Sequence, residues 1–249
     1  MAGRLDGKVA MITGGCSGIG LGTVELFVAE GAQVVAADLQ DEKGAMLEKR
    51  FPGKVRYAHC DVTVEADIVA ALALAKSAFG GLDILFNNAG AAGLGGSVEA
   101  ITAEGWDKTF ALLVRGPALG MHHALPLMRE RGGGSIVTLT YLGGERAVPR
   151  YNVMGVAKAA LDASLRYLAA DLGSADITVN AVSAGPVRTL AARSIPGFTS
   201  MEEIVAERAP LRRNIEAADV AEAAVYLLGA RNVTGTIAYV DAGYHAMGM

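Results

Sequence analysis

The chain is poor in cysteine, in aromatic residues and in blocks of like charge. Its 249 residues include only Cys16 and Cys60 as thiols. Two cysteines make no disulfide framework, so a reduced, cytoplasmic protein is expected. The net charge is −4 with no basic run, which speaks against electrostatic binding to nucleic acid or to an anionic membrane. No stretch approaches the roughly 20 apolar residues of a membrane span. The opening "MAGRLDGKVAMITGG" has no long apolar segment and no small-residue cleavage site, so no secretory leader is expected. No histidine or cysteine falls at metal-ligand spacing, and no metal is expected.

Against these absences stand 52% hydrophobic residues and 32 glycines, with aromatics at 6%. That balance suits a layered fold with many tight strand-to-helix turns. Short apolar runs alternate with amphipathic stretches. Strands are expected near 8–13, 32–38, 54–61, 82–90, 134–141, 176–186 and 236–243. Helices are expected at 41–50, across one long region near 103–131, and near 217–229. Alternation of this kind predicts a single α/β domain over 1–249, with a doubly wound parallel sheet covered by helices on both faces. Ligands of such sheets sit at the carboxyl ends of the strands. The stretch 190–213, with Pro196, Gly197 and Pro210, is the least regular, and a substrate lid is expected there.

The strand ends carry chemistry. "TGGCSGIG" (13–20) follows the first strand, and Gly14, Gly18 and Gly20 permit a tight turn, a close backbone approach and a close helix–strand contact. The helix that follows offers its free N–H groups to a pyrophosphate. Asp38 ends the second strand, 18 residues beyond Gly20. A carboxylate there can accept the adenosine ribose hydroxyls and repel a 2′-phosphate, favouring NAD over NADP. It can equally cap the polar helix that follows. Asp61, ending the third strand in "CDV", is placed to meet the adenine amino group. "NNAG" (87–90) ends the fourth with small residues that let backbone approach a ligand.

These motifs, in this order, resemble the short-chain dehydrogenase/reductase superfamily. The resemblance implies a Rossmann-type domain with a seven-stranded parallel sheet, assembled as a homotetramer. It implies NAD contacts through Gly14, Ser17, Gly18, Ile19 and Gly20, through Asp38, Asp61 and Val62, and through Asn88, Ala89 and Gly90. Most members use an Asn–Ser–Tyr–Lys set. Anchored on Lys158, the usual places for asparagine, serine and tyrosine hold Leu113, Tyr141 and Met154. Methionine donates no proton and leucine holds no water relay.

Tyr151 stands seven residues before Lys158. Seven helical residues turn about 700°, so the two side chains share one face. The segments 140–161, 181–198 and 240–249 resemble bacterial enoyl-acyl-carrier-protein reductases, a branch that uses a Tyr–x6–Lys pair. The resemblance implies that Tyr151 bonds the thioester carbonyl, Lys158 the nicotinamide ribose, and that Tyr141 lines the substrate. It further implies NADH-dependent reduction of a trans-2-enoyl thioester, small or carrier-linked. Gly185, Pro186, Val187 and Thr189, after the sixth strand, would meet the nicotinamide end. Two other readings remain beside it: an NAD-dependent alcohol or carbonyl oxidoreductase, and a nucleotide-binding scaffold with little turnover. Residues up to about 134 resemble an ordinary short-chain dehydrogenase more than an enoyl reductase. A mosaic with a seam near the fifth strand is therefore a further expectation. Cys16 is read as a small filler of the glycine loop, with a thiol acidified by the helix end as the alternative.

Overall fold

The structure, a computed structural model, describes residues 3–90, 95–188 and 198–247, except the side chains of 198–200. Among these residues seven strands form one parallel sheet. They are β1 (Val9–Thr13), β2 (Gln33–Asp38), β3 (Val55–His59), β4 (Ile84–Asn87), β5 (Gly134–Thr140), β6 (Ile177–Ala184) and β7 (Ile237–Val240). Their order is β3-β2-β1-β4-β5-β6-β7. The chain winds outward from β1 in one direction and from β4 in the other, so the switch point lies between these two strands.

Alternation along β1 shows how the sheet acquires two cores. Ala10 and Ile12 face Val24 and Phe27 of α1 (Gly18–Ala29) and Val220 and Ala224 of α8 (Ala217–Gly229). Val9 and Met11 face Ile68 and Ala71 of α3 (Glu65–Phe79), Met121 of α5 (Gly116–Glu130) and Leu165 of α6 (Asn152–Leu172). Both faces of the central strands are buried, which explains why β1, β2 and β4 read as near-continuous apolar runs.

Three details depart from the sequence expectations. The long helical region is two helices, α4 (Ala103–Phe110) and α5, joined by a π-helical turn at Ala111–Arg115. Pro117 has no N–H to return to the Leu113 carbonyl, so the ordinary ladder cannot run through this turn. The helix α2 (Asp41–Arg50) has Gln40, not Asp38, as its N-cap. The described part of 190–213 is also more regular than expected, because it contains α7 (Phe198–Arg208). Val205 and Ala209 lie one turn apart and pack on Ala242 with Ile215 and Tyr244. Among the described residues no helix is long and apolar enough to cross a membrane.

Candidate active site

A cavity of about 550 Å³ opens at the carboxyl ends of the strands, beside the switch point. Its lining includes Gly14, Ser17, Gly18, Ile19, Asp38, Asp61, Val62, Asn88, Ala89, Gly90, Tyr141, Tyr151, Lys158, Gly185, Pro186 and Val187. The sequence reading thus converges on one place. Gly20 lies beneath the lining, and Thr189 falls outside the described residues.

The glycine loop is compact enough to exclude side chains. A Cβ on Gly20 would lie 2.0 Å from the Gly14 carbonyl oxygen and 2.7 Å from Asn88 Nδ2. Gly14 itself has φ +67°, a conformation that disfavours larger residues. Helix α1 starts at Ser17 without a side-chain cap and with no acidic residue in its first turn. The positive end of that helix is therefore uncompensated and faces the loop, which fits a dinucleotide's pyrophosphate.

Several expected contact residues also hold the loop itself. Asp38 is buried at the end of β2. Its Oδ2 accepts the Cys16 N–H at 2.9 Å, and its Oδ1 accepts the N–H and the side-chain amide of Gln40, each at 3.1 Å. A carboxylate offers about four acceptor positions, so three are used within the protein. Asn88 Nδ2 donates to the carbonyls of Thr13 and Gly14 at 2.9 and 3.2 Å. Asp61 Oδ1 accepts both the N–H and the hydroxyl of Thr63. Cys16 is no acidified thiol: burial first, then the charge of Asp38, pushes it up to about 12. It packs in the core below the loop.

At the other end of the cavity, Tyr151 is buried and Lys158 is half-buried, one at the start of α6 and one two turns inside. What exposure the lysine has is toward the cavity. Lys158 Nζ donates to the Leu139 carbonyl at 2.6 Å. Desolvation lowers its ammonium from 10.5 to about 8, opposed by the charge of Asp162. Among the described residues the Tyr151 hydroxyl forms no hydrogen bond. Burial raises its pKa well above the ordinary phenol value, with a smaller contribution from Tyr141. Tyr141 packs edge-on against it, and burial pushes that phenol up to about 12.

The backbone around Tyr151 is strained. Arg150 has φ +64° and Asn152 φ +34°, conformations that cost on the order of 1–3 kcal/mol each. The segment after β4 holds them. Gly96 N–H donates to the Arg150 carbonyl at 2.9 Å, and Asn152 Nδ2 donates to the Ser97 carbonyl at 3.1 Å. Gly95 cannot be larger, because a Cβ would come 2.8 Å from that Arg150 oxygen. Residues 91–94 lie outside the described residues.

An apolar part of the lining has no expected role in the sequence reading. Leu112 and Leu113 enter from the π-helical turn, Met154 from α6 and Met201 from α7. They make an apolar wall beside Tyr151, with Leu113, Met154 and Tyr151 in one buried cluster. The signal was present in Leu113 and Met154, which replace polar groups of ordinary dehydrogenases. Leu112 and Met201 look like plain helix core in sequence. Arg188 Nε meets the buried Glu202 carboxylate at 2.8 Å, tying the segment after β6 to α7.

Comparison with known proteins places this geometry. A family model described as enoyl-(acyl carrier protein) reductase matches residues 14–245. The NADH-dependent enoyl-acyl-carrier-protein reductase of Nostoc is 41% identical, over 99% of both chains. Momilactone A synthase of rice is 40% identical over 97% of this chain and 91% of its own. The crystal structure of the Anaplasma phagocytophilum enoyl-acyl-carrier-protein reductase with NAD superimposes with a TM-score of 0.90. That protein is 34% identical, and the match covers 100% of this chain and 96% of that one. These matches run from end to end and give no evidence of a mosaic with a seam near β5. The segment 95–97 also bonds directly to the residues beside Tyr151. The chain belongs to the enoyl-(acyl carrier protein) reductase family of the short-chain dehydrogenase/reductase superfamily.

Proposed function

We propose that the protein reduces the 2,3-double bond of a trans-2-enoyl thioester carried on acyl carrier protein, using NADH. The observation that carries this is the Tyr151 hydroxyl, without a partner among the described residues. It stands in a cavity wall of Leu113, Met154 and Tyr141, and Lys158 lines the same cavity. When bound, NADH supplies a hydride to the β-carbon of the enoyl group. The double-bond electrons then move to the thioester oxygen as an enolate, and a proton adds at the α-carbon. Tyr151 keeps its proton because burial raises its pKa, so it acts as a hydrogen-bond donor to that oxygen. The donor gains strength as the oxygen gains charge, which favours the transition state over the bound substrate. Leu113 and Met154 supply no proton relay, and they exclude water from the same side.

The cofactor residues follow from the fit of the loop. Gly14, Ser17, Gly18 and Ile19 would hold the pyrophosphate at the start of α1. Lys158 would hold the nicotinamide ribose, and Gly185, Pro186 and Val187 would support the nicotinamide. Asp38 selects NADH through its buried negative charge, which repels a 2′-phosphate, and through its remaining acceptor position. Residues 190–213 act as the lid, with Met201 of α7 lining the cavity from that side. A homotetramer in the cytoplasm is the matching assembly. Val156 and Tyr167 support it, lying exposed three turns apart on one face of α6. Light scattering after gel filtration reads the assembly directly.

Following NADH oxidation with a crotonyl thioester and, separately, an acetoacetyl thioester tests the reaction. Oxidation with the crotonyl compound is expected. Turnover of the acetoacetyl compound alone would replace this reading with a carbonyl reductase.

A further inference from the structure

One buried carboxylate stands behind the site and takes no part in the mechanism above. Asp162 is one turn beyond Lys158 on α6 and 6% exposed. Neither carboxylate oxygen meets a hydrogen-bond donor of the described protein. A charged carboxylate without a close partner in such a place is costly.

The packing shows that the space is kept open for it. The turn Leu142–Gly144 lies on α6, and its two glycine positions leave no room for a side chain. A Cβ on Gly144 would come 2.7 Å from Asp162 Oδ2 and 3.1 Å from the Lys158 carbonyl carbon. A Cβ on Gly155 would come 2.7 Å from the Gly143 oxygen. Glycines on both elements let the turn settle over the helix, with the carboxylate enclosed beneath it. The Thr140 hydroxyl at the end of β5 is buried too; it falls outside strict hydrogen-bond geometry with any group of the described protein but stands close enough to Asp162 to favour the charged carboxylate.

We infer that Asp162 is a positioning residue for the reductase, the buried countercharge that keeps the Lys158 ammonium protonated and directed at Leu139 and the cofactor. The two are not in contact: among the described residues no carboxylate lies within 4.0 Å of Lys158, and its bond goes to the Leu139 carbonyl. The influence therefore acts through space in a poorly screened interior. The groups acting on Asp162 come from every element around it. Burial raises its pKa and Glu145 after the turn adds to this, while Thr140 of β5 and Lys158 and Arg166 of α6 oppose it. From β7, Tyr239 bonds Glu145 and also feels the Asp162 charge. This inference rests on the reading of Lys158 as the ribose-binding cation.

The decisive measurement needs no turnover. With lysine labelled at its ε-carbon, the Lys158 signal should titrate in two steps in the wild-type protein. One step belongs to its own proton, and a smaller one at lower pH to ionisation of Asp162. In Asp162→Asn the acid step should vanish and the lysine step should move to lower pH by at least about half a unit. The alkaline fall in kcat/KM should move with it, whereas Asp162→Glu should restore most of the wild-type profile. A folded Asp162→Asn protein with unchanged lysine titration overturns the inference. If that variant does not fold, a single-step Lys158 titration in the wild type overturns it equally. An absence of enoyl reduction with the two-step titration intact would instead overturn the reading of the reaction.

Discussion

The rings of Tyr141 and Tyr151 meet edge to face, with centroids 4.9 Å apart and planes at 64°. This contact fixes the Tyr151 ring by packing alone, so its hydroxyl need not be spent on a protein partner. Tyr151→Phe keeps the ring contact and removes only the donor. Turnover should fall by about 100-fold or more, with NADH affinity within about twofold of wild type. Steady-state kinetics beside a fluorescence titration of NADH checks this. Equal loss of both would mark Tyr151 as a structural residue.

Lys158 gives the alkaline limit. Burial pulls its ammonium down from 10.5 to about 8, so kcat/KM should hold below that pH and decline through it. Stability moves the other way. Between about 8 and 10.5 the unfolded chain binds the lysine's proton more tightly than the folded one, so this residue's contribution rises with pH. Cys16 and Cys60 oppose it above 9, because burial holds both thiols up to about 12. Denaturant unfolding of wild type against Lys158→Met isolates the lysine. The difference in stability between the two should change across this window in the wild type's favour.

Asp38→Ala should have two effects. Loss of the charge should relax the preference for NADH over NADPH by about tenfold or more, since a buried like charge costs over 1 kcal/mol. The Cys16 N–H also loses its acceptor, so NADH affinity itself should drop. Binding titrations with both nucleotides separate the two; a changed ratio with unchanged NADH affinity would mean that the loop does not depend on Asp38.

Gly20→Ala should destabilise the fold by roughly 2–3 kcal/mol or more and abolish NADH binding, because both near neighbours belong to the loop and its support. Gly53→Ala is the control. It has φ +72° but nothing within 4 Å, so it should cost only backbone strain, about 1–2 kcal/mol. Thermal unfolding of the two variants in parallel reads the difference.

The central strands are legible in the sequence because both of their faces are buried. A run as short as "KVAMIT", bounded by glycines, favours a buried strand over a helix, and "AADVAEAAVYLLG" repeats its apolar face clearly enough to fix α8 at 217–229. The cavity was legible because its residues sit at strand ends. Three things were not. The π-helical turn depends on Pro117 withdrawing one hydrogen bond, which leaves no periodic trace. The regularity of α7 depends on Val205 and Ala209 finding Ala242, more than thirty residues away in sequence. The second duty of Asp38 and Asn88, as struts of the glycine loop, depends on distances that spacing alone does not encode. Tyr151 and Lys158 line one cavity, yet nothing in the Tyr151 segment announces that Gly96 and Ser97 hold its flanks.

That clasp has a consequence for inheritance. Ser97 and Asn152 are 55 positions apart, yet Arg150 and Asn152 can occupy their positive-φ conformations only while residues 95–97 are there to receive them. Of these groups only the Asn152 side-chain amide is residue-specific, so a segment with another residue at 152 would leave the Ser97 carbonyl without that donor. Substitutions in the two should therefore compensate each other, and a graft that changes the loop after β4 must carry the first turn of α6 with it.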